Sequence, residues 1–396
     1  MWFRKKRIYA DAAAATPISR RSARELVRLL RVYGNAGAIH HEGVEAKKEL
    51  EKVRKSIANS INAHADEIIF TASGTEGNNL AIQGVFKNGH AITSTIEHQS
   101  VLEPLRALAR AGLAVTEVGV DGEGLVFPNA ILDAVRPETV FVSVQLVNSE
   151  MGAVEPIKEI AKSLRRAKQK IYFHTDASQV PLWMELNVEQ LGVDLLTLDA
   201  QKVLGPKGIG ALYVRRGTPI EPILWGGKQE QALRAGTENM AAAGAFAVAL
   251  ADAQNGVEER AQKIAEVRDY LWTEIKKLIP NAILNGPRLK GDALESPAAK
   301  ASPLGFRVAN NLSVSIPGLE AEMAVISLDA LGIAASTRSA CSAGETEPSH
   351  VIKALGIPPQ MAGTAIRITL LPSATKPQAR RIASALKETA ARYRQK

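Results

Sequence analysis

Cysteine is nearly absent: Cys341 is the only one in 396 residues. That excludes an intrachain disulfide and a cysteine-built zinc site, and it fits a reducing compartment. Long apolar runs are missing as well. The longest, Met240 to Ala251, has twelve residues, short of the roughly 18 that a spanning helix needs. The basic start, Met1 to Arg7, is followed by only Ile8, Tyr9 and Ala10 before Asp11, which leaves no apolar core for a secretory signal. A cytoplasmic location is expected. Neither sign of charge dominates, with 49 Lys and Arg against 41 Asp and Glu. The net charge of +8 is scattered apart from short clusters at Arg4–Arg7 and Arg165–Lys170, and it reads as solvated surface rather than a nucleic-acid face. No internal repeat is present, and no low-complexity tract beyond the alanines at 12–15.

What is present is an ordinary globular composition, 46% apolar and 23% charged with 30 Gly and 19 Pro, in a chain long enough for about two to three domains. Through the first 215 residues, short apolar runs alternate with helix-like stretches. The runs are Ile68–Phe70, Ala91–Thr93, Ala114–Val118, Val140–Val144, Ile171–Phe173, Leu195–Leu198 and Ala211–Val214. That rhythm predicts a parallel sheet with helices on both faces. Ala46, Leu50, Val53, Ile57 and Ile61 recur at helical spacing and predict a helix lying against the sheet. After Met240 a long helical region runs to about Leu278. A loop rich in Pro, Gly and Ala follows from Asn285 to Phe306, and then a shorter alternation that predicts a smaller second domain.

Four segments could carry chemistry. Phe70 to Leu80, with Ser73-Gly74-Thr75 at its centre, follows a strand and opens a helix, so its free N–H groups suit an anion. It lacks the Gly-Lys-Ser/Thr of a Walker loop and the spaced glycines of a dinucleotide loop, and alone it reads equally as a plain N-cap turn. His174-Thr175-Asp176 ends a predicted strand, at the edge where open α/β sheets bind ligands. A carboxylate there can pair with a protonated ring nitrogen, as a pyridoxal cofactor requires. Metal ligation by that pair, or by His40-His41, lacks convincing spacing.

Asp199 to Gly208 follows another strand end, where a desolvated Lys202 could act as a Schiff-base nucleophile or simply be a surface lysine. Ser336 to Glu345 sets Cys341 among small polar residues that bury it poorly, with Arg338 close by in sequence. An inert thiol and a partly ionised, mobile one both remain open.

Together these segments resemble the cysteine desulfurases, within the class V aminotransferase group of pyridoxal-phosphate enzymes. The likeness runs nearly end to end. It includes Tyr9 to Pro17, Gly34 to His40, the turn at Gly74, Ile96-Glu97-His98, Val147 to Gly152, Asp176 to Gln179, Lys202, Arg234 to Thr237, Ser339-Ala340-Cys341 and Ile366-Arg367. The resemblance implies an α/β fold of the pyridoxal-phosphate transferase type I. Its large domain, 15–255, would hold a mainly parallel seven-stranded sheet flanked by helices. A smaller α/β domain, 1–14 with 256–396, would carry the Cys341 loop.

By the same resemblance Lys202 holds the cofactor covalently, Asp176 pairs with its ring nitrogen, and Gln179 reaches its ring hydroxyl. His98 stacks on the ring and moves protons. Gly74 and Thr75 bind the phosphate, Gln201 adds an amide donor, Asn148 and Ser149 lie at the ring, and Thr237 comes from the neighbouring subunit of a homodimer. Arg367 and Asn35 hold the substrate carboxylate. Cys341 takes the sulfur of L-cysteine as a persulfide, releasing L-alanine, and a mobile loop hands it to an acceptor protein near that loop, an iron–sulfur scaffold or a sulfur carrier. No direct nucleic-acid contact and no metal are implied.

Three departures stand out. Ser149 occupies the place of a second Asn, so that residue's contact to the ring hydroxyl is not implied. Arg338 stands where the family usually has Gly. Asp199-Ala200-Gln201-Lys202 replaces Ser-Gly-His-Lys or Ser-Ala-His-Lys, exchanging two phosphate donors, one of them for a carboxylate. Cofactor binding weaker than in a typical relative is expected. The competing readings are a selenocysteine lyase or aminotransferase, in which Cys341 is dispensable, and a catalytically weakened scaffold.

Overall fold

Each apolar run of the first 215 residues becomes a strand of one sheet. The computed structural model describes residues 7–289, 306–337 and 348–393. Its first elements are β1 (Ile8–Tyr9), α1 (Arg20–Leu29), α2 (His41–Ser60), β2 (Ile68–Thr71), α3 (Gly74–Val85), β3 (His90–Ser94) and α4 (Gln99–Arg110). There follow β4 (Ala114–Val118), β5 (Thr139–Ser143), β6 (Tyr172–Asp176), β7 (Leu195–Asp199) and β8 (Gly210–Val214). The sheet order is β2-β8-β7-β6-β5-β3-β4. All its pairings are parallel except those of β8, which is antiparallel to β2 and β7. Helices cover both faces, which is why β3, β7 and β8 are buried at every position.

Polar residues extend β6 beyond its apolar run because neighbouring strands satisfy them. His174 sits between the Ser143 and Thr197 hydroxyls at 2.9 and 3.0 Å, and burial lowers its imidazole to about 4. It is a neutral core residue. The long helical region after Met240 is two helices, Met240–Gln254 and Val257–Leu278. Gly256 lies between them at φ 64°, a left-handed conformation that glycine adopts without steric cost.

A second, antiparallel sheet places Asn311–Ser315 between Ala365–Thr369 and Ile283–Leu284. β1 pairs in parallel with Ile333–Ala334, and Asp11 bridges to Thr369. The alanine run then turns back over the large sheet, where Thr16 donates both its N–H and its hydroxyl to the Gln201 carbonyl at 2.8 Å. One strand edge thereby meets residues from both ends of the chain.

Candidate active site

The carboxyl ends of β2, β3, β5, β6 and β7 share one edge of the sheet, and a cavity of about 400 Å³ opens there. Its walls bring together Gly74, Thr75, His98, Ser149, Asp176, Gln179, Gln201, Lys202 and Arg367. Clefts of about 860 and 870 Å³ elsewhere are larger, but neither takes lining residues from the carboxyl ends of these strands.

One corner is built for an anion. Ser73 caps α3, accepting the Glu76 N–H, and the first turn leaves the Gly74 and Thr75 N–H groups without intrahelical acceptors. Gly77 lets the helix lie close on the sheet, since a Cβ there would come within 2.9 Å of Thr197 Cγ2. Ser178 Oγ, buried and without a hydrogen-bond partner, lies 3.1 Å from where a Gly74 Cβ would be. Asp199 flanks the same spot, its Oδ2 at 3.4 Å. Its carboxylate accepts the Gln201 N–H at 3.2 Å and the Gln201 side-chain amide at 3.0 Å.

At the end of β6, Asp176 accepts the Ser178 N–H at 2.9 Å and the Asn78 amide at 2.8 Å. The same Asn78 nitrogen donates to Ser100 Oγ at 2.8 Å, and Ser100 Oγ lies 2.7 Å from His98 Nδ1. Because the Ser100 N–H also points at Nδ1, at 3.1 Å, the His98 proton is assigned to Nε2. A hydrogen-bonded chain therefore ties the Asp176 carboxylate to the His98 ring. Beneath it, Glu97 is fully buried, with the Ser94 hydroxyl at 2.5 Å and the Gln145 N–H at 3.0 Å as donors. Burial raises its carboxyl to about 8.

Lys202 reaches across the cavity mouth, donating to the Ala13 and Ala14 carbonyls at 2.8 and 2.6 Å. Gln179 also donates to the Ala13 carbonyl, at 2.9 Å. At the far wall the buried Arg367 guanidinium donates to Asp11 Oδ1 at 2.8 Å and to the Ser149 carbonyl at 3.3 Å, and its Nε is buried without a partner.

Three expected residues lie outside the cavity wall. Asn148 is buried and spends its side chain on main chain, donating to the Ile96 carbonyl and accepting the Glu150 and Met151 N–H groups. It shapes the turn that presents Ser149. Asn35 lines the cleft shared with Arg54 and Glu230, where its Oδ1 accepts the Gly37 N–H at 2.8 Å, so within one chain it does not share a site with Arg367. Thr237 is exposed. Cys341 lies outside the described residues, as does Arg338. The described flanks meet the cavity wall: Ser336 pairs with Arg367 through main-chain bonds, Ser349 Oγ donates to Glu150 at 2.5 Å, and the His350 ring contacts the Glu97 carbonyl at 3.0 Å.

Asn78, Ser100, Ser178, Asp11 and Lys207 are the contributors that sequence reasoning left without roles. All five sit inside or beside quoted motifs, and being polar at a strand end or helix start was their only signal.

The Aminotransferase class-V model matches residues 8–382. A cysteine desulfurase IscS of Dictyoglomus turgidum is 41% identical over 373 residues, 92% of this chain and 90% of that protein. The chain belongs to the class V family, among the cysteine desulfurases. Among solved structures, a NifS-like protein superposes with a TM-score of 0.87 at 29% identity, covering 97% of this chain and 99% of its own. SspA, solved in complex with cysteine, gives 0.76 at 31% identity, covering 93% of this chain and all of that one. Members of this family depend on pyridoxal phosphate. The cavity fits that group: an anion corner with an orphaned hydroxyl, a carboxylate at the end of β6 and a lysine at its mouth.

Proposed function

We propose that the protein converts L-cysteine to L-alanine and takes the sulfur as a persulfide on Cys341, for delivery to an acceptor protein of iron–sulfur cluster or thiolated-tRNA synthesis. The observation that carries this is the convergence, in one cavity, of Lys202, Asp176, Arg367 and the α3 corner with its unpaired Ser178 hydroxyl. Lys202 would hold pyridoxal phosphate covalently, Asp176 its ring nitrogen, and Gly74, Thr75 and Ser178 its phosphate. When bound, the cofactor supplies an electron sink for bonds around the substrate's α-carbon.

The remaining work falls to the chain itself. Arg367 offers a fork to the substrate carboxylate, held in plane by Asp11 and the Ser149 carbonyl. His98, with its proton assigned to Nε2, would face the cofactor ring and carry protons. Cys341, as thiolate, bonds to the substrate sulfur while the substrate's carbon–sulfur bond breaks. The electron pair stays with carbon, which takes up a proton to become alanine, and the persulfide remains on the protein.

A homodimer in which Thr237 completes the neighbour's phosphate site belongs to this reading. It is supported by Tyr33, Ile39 and Trp225, exposed at 82, 98 and 81%, on or beside the segments that line one cleft near Thr237. Large apolar side chains left so open mark an association face. The division into 15–255 and 1–14 with 256–396 is supported by the pairing of β1 with Ile333–Ala334. A cytoplasmic site of action is part of the proposal, and no described helix is long and apolar enough to cross a membrane.

The test is the visible spectrum of the purified protein before and after L-cysteine, with alanine and sulfide assayed together under reductant. A cofactor band that responds to cysteine, with both products formed, is expected. Cys341→Ser should abolish alanine release. Retained turnover in that variant would replace this reading with a lyase or aminotransferase.

A further inference from the structure

The α3 corner holds two features that pull in opposite directions. The N–H groups of the first turn and the unpaired, nine-tenths buried Ser178 hydroxyl call for an anion. An anion of the chain's own, the Asp199 carboxylate, already stands there. Its Oδ2 is 3.4 Å from the Gly74 Cβ position, against 3.1 Å for Ser178 Oγ, and the residue is 7% exposed. Its partners among the described residues are the N–H and side-chain amide of Gln201, both neutral. No cation among the described residues is recorded in an ion pair with it. Lys207 lines the same cavity, and the Lys202 ammonium is held by the Ala13 and Ala14 carbonyls.

We propose that Asp199 is an internal anion that competes with the cofactor's phosphate for the N-terminus of α3 and thereby sets the cofactor affinity of this enzyme. The inference rests on the pyridoxal-phosphate reading above and concerns a residue that tunes binding, not one that takes part in the reaction. A phosphate monoester carries about −1.5 to −2 charges at neutral pH. Beside a carboxylate of low exposure, that charge is opposed where the α3 dipole and the Ser178 hydroxyl would otherwise favour it. A ligand lacking the phosphate does not meet this opposition. The affinity difference between phosphorylated and unphosphorylated ligand is therefore compressed by Asp199.

The experiment uses the full-length protein stripped of cofactor and follows tryptophan fluorescence and visible absorption. Wild type, Asp199→Asn and Asp199→Ser are each titrated with pyridoxal phosphate and with pyridoxal, and inorganic phosphate is measured as a competitor. Asn keeps the acceptor for the Gln201 N–H, and Ser is the residue the family resemblance implies, so two unlike variants guard against a folding defect in one. Both should bind pyridoxal phosphate about tenfold more tightly than wild type, the equivalent of one pK unit of differential charge interaction. Inorganic phosphate should compete better by a similar factor, and pyridoxal affinity should stay within about twofold. Equal affinity of wild type and both variants for pyridoxal phosphate overturns the proposal. So does an equal gain for pyridoxal, which would place the effect outside the phosphate corner. If no variant acquires a cofactor band with either ligand, the proposed function itself falls, an outcome distinct from the other two.

Discussion

On the proposed function, two corners of one cavity face ligand anions, and they handle charge differently. At the Arg367 corner a guanidinium about 1% exposed arrives with its own counter-charge, Asp11 at 2.8 Å. The corner is balanced before any ligand enters, so a substrate carboxylate would meet a fixed fork whose plane is already set. At the α3 corner the attraction is diffuse, made of backbone N–H groups and one hydroxyl, and the chain adds a negative charge instead of a positive one. The first corner selects by geometry. The second is a weak anion site weakened further, and its occupancy depends on the charge of what enters.

The sharpest way to break that contrast is at the geometric corner. Arg367→Lys keeps the charge but loses the fork, and kcat/KM for cysteine should fall about 100-fold with cofactor binding little changed, as steady-state kinetics and an absorbance titration would show. Asp11→Asn leaves the buried guanidinium without its counter-charge. Asp11 is itself 20% exposed at the side chain, so the loss should be about 2 kcal/mol in urea unfolding, below the range for a fully buried pair. Ser178→Ala acts on the diffuse corner, removing one hydroxyl among several donors. Cofactor affinity should weaken only about fivefold, with the KM for cysteine unmoved. A Ser178→Ala effect larger than that of Arg367→Lys would reverse the assignment of strong and weak corners.

The sheet was legible from sequence because parallel strands buried on both faces are written as short apolar runs, and all seven runs recur in β2 to β8 within one residue at each end, except that β6 runs three residues further. Its polar extensions were not. His174 looks like a ligand until the Ser143 and Thr197 hydroxyls on flanking strands are seen to satisfy it. The cavity lining was legible where a charged residue falls inside or just past an apolar strand, as with Arg367 within Ala365–Thr369 and Lys202 beyond β7. It was not legible where a polar side chain serves the backbone. Asn148 has the chemistry of a ligand-binding residue, but its amide is committed to a turn, and only the fold decides which amides are spent. Ser178 shows the reverse, an unremarkable serine that folding leaves unpaired at a helix start.

A third carboxylate near the cavity completes the comparison and supplies a pH test. Asp11 is offset by a cation and Asp199 by amides, but Glu97 is fully buried with only the Ser94 hydroxyl and the Gln145 N–H to support it. Burial lifts its carboxyl from the ordinary 4.5 to about 8, with the Asp176 charge pushing the same way. The folded protein thus keeps a proton that the unfolded chain releases above about 4.5. Wherever the folded state binds more protons, stability falls as pH rises, so Glu97 costs stability progressively from about pH 4.5 to about 8. Glu155, buried with one oxygen unpaired, is shifted in the same direction and adds to the slope. Glu97→Gln mimics the protonated form, so the decline in Tm across that window should be shallower in the variant, with the remainder belonging to Glu155. A variant whose Tm falls as steeply as wild type would mean that Glu97 is ionised in the folded protein, and that the charge beneath His98 is carried rather than neutralised.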